Sequence, residues 1–328
     1  MRNRVAASVL VSLLAFGAMT PSSANPKGTP NENAVGYWTA DKRANAVARE
    51  FQFEPGAKEG KLIPQAKRGG SGSGTSSLSG TSFWPATQQS DFVANITGKV
   101  FFTMSGVDYV CSASLVADSD SRKAIAITAG HCVWENATNG SFATNWVFWP
   151  NYDTNFGSRV SFAASQLFVR KDFTNQTSFN NTAVINDYAF AVISSSDDRV
   201  NPANLPTLGT FSIGNPAYAF GYPQAFPYNG EELVYSFGAV STDGNTGNKT
   251  WKLPSSLTGG ASGGPWYSGY VNGNKVGLVS SLNSYKYTTD KNSMYGPQFS
   301  NLTDLLFDAA KIGSCPATST TVNCKTLP

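Results

Sequence analysis

From about residue 90 onward, short runs of β-branched and aromatic residues alternate with clusters of Asn, Gly, Ser and Pro. The runs Lys99–Met104, Tyr109–Val116, Ala124–Thr128, Val160–Val169, Tyr188–Ile193, Ala217–Tyr222, Leu233–Val240 and Val276–Leu282 each have the length of a strand. Many short strands bounded by turn residues predict an all-β fold of antiparallel strands, a barrel or a sandwich. The period changes near the end of the chain. Leu302, Leu305, Leu306 and Ala309 share one face of a helix over 301–312, which Gly313 stops. Upstream, Thr39 is placed to cap a helix from Ala40 to Phe51, with Ala44, Val47 and Ala48 on one face. No internal repeat of fixed period is visible.

The first 80 residues read differently. Arg2 and Arg4 precede an apolar run from Val5 to Ala18, and Ser22-Ser23-Ala24 supplies small residues before Asn25. This is the layout of a secretory leader over 1–24, too short in its apolar part to span a bilayer comfortably. The mature chain is therefore expected outside the cell, with no stable membrane insertion, where disulfides persist. Residues 25–80 read as a pro-segment and spacer. Lys67-Arg68 offers a processing site, and the run Gly69–Gly74 is a flexible Gly/Ser linker. Residues 81–312 then form the main domain, and 313–328 a tail.

Charge removes one class of partner. Residues 1–80 hold 10 Lys or Arg against 5 Asp or Glu, leaving 14 against 16 in the rest of the 328-residue chain. The body is near neutral and slightly acidic, so no nucleic-acid partner is expected. A single histidine excludes any site that needs two, such as a paired-histidine zinc motif.

Three segments carry chemistry: Thr128-Ala129-Gly130-His131-Cys132, Asn186-Asp187-Tyr188 at the head of an apolar run, and Gly259-Gly260-Ala261-Ser262-Gly263-Gly264-Pro265-Trp266. A serine hydroxyl is a poor nucleophile until a neighbouring base takes its proton. An imidazole titrates near neutrality, so His131 suits that task and the later return of the proton. Asp187 would hold the imidazole tautomer; Asp153 and Asp172 are the competing carboxylates. Glycines around Ser262 permit a tight loop that aims the N–H groups of Gly260 and Ser262 at one point, an oxyanion hole. Chain order narrows the scaffold. Gly260–Gly264 also fits the nucleophile elbow of α/β hydrolases, but that fold needs its histidine after the serine, and His131 lies before it.

With the order His, Asp, Ser, these motifs resemble the chymotrypsin-like (trypsin-like) serine peptidases. The wording is closest to secreted bacterial and fungal members of the glutamyl-endopeptidase-like (V8-like) group. Gly221-Tyr222-Pro223, Leu233-Val234-Tyr235, Leu257–Trp266 and the upstream Val35-Gly36-Tyr37-Trp38-Thr39 carry that likeness. The resemblance implies two packed six-stranded antiparallel β-barrels, followed by the C-terminal helix. It also implies a triad in the cleft between the barrels, and peptide hydrolysis through an acyl-enzyme. It pairs Cys111 with Cys132 and leaves Cys315 and Cys324 to close a small C-terminal loop.

Two departures matter. Ala261 stands where zymogen-activated relatives carry an aspartate that binds a newly cut N-terminus, so activation in that form is not expected. The pro-segment would act instead as a chaperone or by covering the cleft. Ser256 stands where trypsins carry the aspartate that binds Arg or Lys, so basic residues are not expected to be preferred. Carboxylate recognition through a second histidine is not available either. That leaves Ser256 compatible with an apolar or aromatic side chain. Ser280 is expected to face His131 and Asp187, on a strand Gly277–Leu282 that pairs with substrate, and Leu282 to narrow the pocket. The resulting expectation is a secreted, monomeric serine endopeptidase acting on protein or peptide substrates, with no metal and no organic cofactor. A catalytically silent binding or adhesion module on the same fold, or an esterase using the same site, are the alternatives.

Overall fold

The alternation of apolar and polar residues folds into two β-rich lobes in a computed structural model. It describes residues 30–65, 80–88, 90–117, 123–153, 160–194, 204–271, 277–314 and 319–328. The leader, Lys67-Arg68 and the Gly/Ser run lie outside the described residues. In chain order the upstream segment forms helices α1 (Pro30–Tyr37) and α2 (Ala40–Asn45) and the hairpin β1 (Val47–Phe53) and β2 (Glu59–Gln65). The strand β3 (Thr81–Phe83) and short helix α3 (Phe92–Ile96) follow.

The first lobe contains β4 (Thr97–Met104), β5 (Val107–Val116), β6 (Lys123–Thr128), β7 (Thr144–Pro150), β8 (Phe162–Arg170) and β10 (Ala189–Ser194). Between the last two come helix α4 (Lys171–Thr174), strand β9 (Phe179–Asn180) and helix α5 (Asn181–Ile185). The ladder β5–β4–β7–β8–β10–β6 returns to β5, so six antiparallel strands close into a barrel. Its tightest corner joins β4 to β5, where Ser105 and Gly106 both have positive φ (50° and 79°), the geometry of a two-residue hairpin turn. The interior is filled by fully buried side chains such as Val100, Phe102, Ala113, Phe148 and Leu167.

The second lobe contains β11 (Pro216–Gly221), β12 (Val234–Ala239), β13 (Ser241–Thr242), β14 (Thr250–Pro254), β15 (Pro265–Ser268), β16 (Leu278–Leu282), β17 (Tyr285–Tyr287) and β18 (Asp290–Pro297). Its strands form a five-stranded sheet, β16–β15–β11–β12–β3, facing a run β13–β14–β18–β17. Trp251, Leu253, Trp266 and Met294 fill the space between. The predicted C-terminal helix is α6 (Asn301–Ile312). Ser300 and Thr303 form a capping box, Gly313 ends the helix at φ 66°, and Phe307 packs on Phe190 of the barrel. A last strand, β19 (Val322–Thr326), pairs with β8.

The upstream segment departs from the expected helix. Thr39 caps α2 as predicted, but the helix ends at Asn45 and residues 47–53 are a strand. The reason is tertiary. Val47 and Ala48 pair in parallel with Tyr109 and Val110 of β5, while Phe51, Gln52 and Phe53 pair in parallel with Tyr285, Lys286 and Tyr287 of β17. β1 thereby bridges the two lobes across the cleft, and its backbone donors and acceptors are satisfied by two open edges rather than by a helix. Trp38 anchors the segment on the outside of the barrel among Phe101, Val110, Val147 and Trp149.

Candidate active site

His131 sits in a turn directly after β6, and the disulfide Cys111–Cys132 ties that turn to β5. This is the pairing the resemblance implied. Cys324 is also disulfide-bonded, while Cys315 lies outside the described residues. Asp187 leaves the end of α5 just before β10, and both it and His131 are fully buried. One carboxylate oxygen of Asp187 accepts the main-chain N–H of His131 at 2.8 Å; the other lies 2.8 Å from the ring Nδ1. That places the ring proton on Nδ1 and leaves Nε2 with a free lone pair. Nε2 is buried and has no partner among the described residues. Asp187 is therefore the carboxylate that meets His131, whereas Asp172 pairs with Arg170.

The hydroxyl expected from Ser280 comes instead from Ser284, which donates to Asp187 at 2.5 Å. Ser280 bonds Ser268 on the neighbouring strand β15. Leu282 is a fully buried core residue paired with Pro265 and does not line the cleft. The strand at the cleft is β17, beyond Ser284, which pairs with β1, whereas β16 pairs with β15 in the other sheet. The apolar run read from sequence marks β16, but the chain turns through Asn283 and Ser284 before it reaches the site.

Ser262 lies in the glycine-rich loop before β15. The loop is held from three sides. Ser112 N–H donates to Ser262 O (2.7 Å), the Asn283 side chain donates to Ala261 O (2.9 Å), and Gly263 N–H donates to Asn283 O (2.7 Å). Gly260 has φ 100°, and a Cβ there would meet Tyr222 O at 2.7 Å, so only glycine fits. Neither Gly260 N–H nor Ser262 N–H donates to a protein acceptor among the described residues. These bonds shape the loop with Ala261 buried in it, so its form needs no ion pair to a chain terminus.

The cleft is occupied by β1. The Ser262 hydroxyl donates to Arg49 O at 3.2 Å. Arg49 Nε donates to His131 O at 2.9 Å, and Phe51 packs edge-on against the imidazole at 5.4 Å between ring centres. Glu50 is buried against Gly259, its Oε2 accepting from Gln65 (2.8 Å) and Gln52 (3.2 Å). Burial pushes the Glu50 carboxyl above the ordinary glutamate range, with Lys286 pulling the other way. Lys286 is itself buried, which pushes its ammonium down to about 8 against the pull of Glu50 and Asp290. Ser256, expected to line a specificity pocket, is buried and bonds Tyr228 through its hydroxyl and Thr81 through its N–H. Arg49, Glu50, Ser284 and Lys286 carry no motif in the sequence; only the bridging of two sheet edges brings them to the site.

Residues 111–278 match the trypsin-like peptidase domain. Among solved structures, the thermostable serine protease AL20 from an extremophilic microorganism is 34% identical, with 67% of this chain and 99% of that one covered at a TM-score of 0.58. The protease Anisep from Arthrobacter nicotinovorans is 30% identical over 67% and 96%, also at 0.58. A Glu endopeptidase matches at 16% identity over 72% and 98% with a TM-score of 0.53, a likeness of fold alone. No curated protein sequence matches the chain.

Proposed function

This chain belongs to the trypsin-like peptidase family and is a serine endopeptidase, and we propose that it is exported as a latent precursor that cuts peptide bonds through His131, Asp187 and Ser262. The observation that carries this reading is the double contact of Asp187 with His131, which leaves Nε2 as a buried base in the cleft where the Ser262 hydroxyl is found. In the working enzyme His131 takes the Ser262 proton as Oγ attacks the substrate carbonyl. The oxyanion falls to the N–H groups of Gly260 and Ser262. His131 then gives the proton to the leaving amine, and water repeats the sequence on the acyl-enzyme. Asp187, braced by Ser284, holds the imidazole and stabilises its charge when protonated.

Latency comes from β1. A carbonyl oxygen, that of Arg49, faces Ser262 Oγ, whereas attack requires the carbonyl carbon to face it and the oxygen to reach Gly260 and Ser262 N–H. β1 runs parallel to β17, with Phe51, Gln52 and Phe53 beside Tyr285, Lys286 and Tyr287. Export is supported by the leader at 1–24 and by the Cys111–Cys132 disulfide. The domain limits that follow are a pro-segment and linker over 25–80 and a peptidase body over 81–312.

The test is hydrolysis of a mixed peptide library by the matured full chain and by His131→Ala, Asp187→Ala and Ser262→Ala variants. Each variant is expected to lose activity by a factor of about 10⁴ or more. A Ser262→Ala enzyme that still cuts peptides would overturn the assignment. Ester hydrolysis without peptide cleavage would favour the esterase.

A further inference from the structure

A trans peptide is planar, so its N–H points away from its own C=O, and whatever binds the oxygen aims the N–H. The Gly259–Gly260 peptide is turned by its oxygen, which accepts from the N–H groups of Gln224 (2.6 Å) and Ala225 (3.2 Å). The Ala261–Ser262 peptide is turned in the same way. Its oxygen accepts from the Asn283 side chain and from Gly264 N–H, both at 2.9 Å. Between them lies the Gly260–Ala261 peptide, whose orientation sets the angle between the N–H groups of Gly260 and Ser262. Its oxygen accepts from the hydroxyl of Ser112 at 2.9 Å.

Ser112 is on β5, in the first lobe, and is fully buried. Its hydroxyl also accepts from Tyr222 N–H at 2.9 Å. Tyr222 opens the stretch that supplies Gln224 and Ala225. One hydroxyl therefore ties the middle peptide of the nucleophile loop to the segment that clamps the first. Both bonds go to main-chain atoms and neither to the triad. The backbone of Ser112 is itself fixed: its N–H donates to Ser262 O (2.7 Å), and its oxygen accepts from the Thr128 hydroxyl (2.9 Å). The loop needs such a hold from outside. Gly260, at φ 100°, has no side chain to restrict its rotation. Turning of either peptide that flanks it would carry a donor out of the hole.

We propose that Ser112 is a positioning residue that preorganises the oxyanion hole, acting through Gly260 O and Tyr222 N–H without touching the substrate. The proposal rests on the catalytic reading given above. Alanine at 112 leaves a buried carbonyl and a buried N–H unpaired. The glycine peptide relieves this by rotating, and the N–H of Gly260 leaves the hole. Loss of one such donor lowers kcat by about 10²–10³.

The experiment compares the matured full chain with Ser112→Ala in two measurements. One is steady-state hydrolysis of a single peptide ester. The other is a fluorine NMR titration of the adduct with a peptidyl trifluoromethyl ketone. In that adduct Ser262 Oγ is bonded to the former ketone carbon, and the hemiketal oxygen lies in the hole, which favours its ionised form. Ser112→Ala is expected to lower kcat on the order of 100-fold with KM within about threefold of the parent. It is also expected to raise the pH at which the hemiketal ionises by about one unit or more, a change that loosened packing elsewhere would not produce. Ser112→Thr and Ser112→Val have nearly the same shape and differ in the hydroxyl, so they carry the same comparison if alanine impairs folding. Threonine is expected to follow the parent and valine the alanine variant. An unchanged hemiketal ionisation in Ser112→Ala or Ser112→Val, or a kcat within about threefold of the parent, overturns the proposal. A parent enzyme that forms no adduct at Ser262 overturns instead the catalytic reading beneath it.

Discussion

Trp38 gives the sharpest handle on latency. It is 2% exposed, fills a site on the outer face of the barrel between Phe101, Val110, Val147 and Trp149, and donates its indole N–H to Asn145 O at 2.6 Å. Most of its packing is between the upstream segment and the peptidase body, so truncation weakens docking and leaves the barrel interior intact. Replacing a buried tryptophan by alanine costs about 3–5 kcal/mol. At about 1.4 kcal/mol per decade, the fraction of uncut precursor with an open cleft should rise roughly 100- to 3,000-fold. The assay is the rate of fluorophosphonate labelling of Ser262 in the intact chain, which follows the open fraction when opening and closing are fast. Trp38→Ala is expected to label at least about 100-fold faster than the parent. A rate within twofold of the parent would refute the claim that β1 occupies the site by virtue of this anchor.

Other consequences are equally concrete. Ser284→Ala removes a hydrogen bond to the Asp187 carboxylate, worth about 1.5–3 kcal/mol for a charged acceptor. kcat should fall at least about tenfold with little change in KM, in steady-state assays on one peptide. Reduction of Cys111–Cys132, or its replacement by two serines, should lower the unfolding free energy by about 3 kcal/mol for a loop of 21 residues, measured by denaturant titration.

The parts of the molecule legible in the sequence are those fixed by local pattern. The strands over 99–104, 109–116, 124–128, 217–222 and 278–282 lie where alternation and turn residues put them, and α6 begins and ends at its caps. His131, Asp187 and Ser262 stand out because their neighbours constrain them. Two glycines have to flank the serine loop, and an apolar strand has to follow the aspartate. Ser284 and Lys286 were not legible, because nothing local says which of two successive strands, β16 or β17, borders the cleft. The strand β1 was hidden for a related reason. Ala44, Val47 and Ala48 carry a helical spacing, and the preference is overridden by two sheet edges 60 and more than 230 residues away in the chain.

The central claim is that the Ser262 hydroxyl becomes covalently acylated during turnover. Rapid mixing of the matured enzyme with an activated ester, quenching in acid, and peptide mapping by mass spectrometry tests it most directly. The account predicts a single acyl adduct on Ser262 that disappears on return to neutral pH and is absent from Ser262→Ala. Stoichiometric acylation of a different residue, or peptide cleavage with no adduct on Ser262, would contradict it.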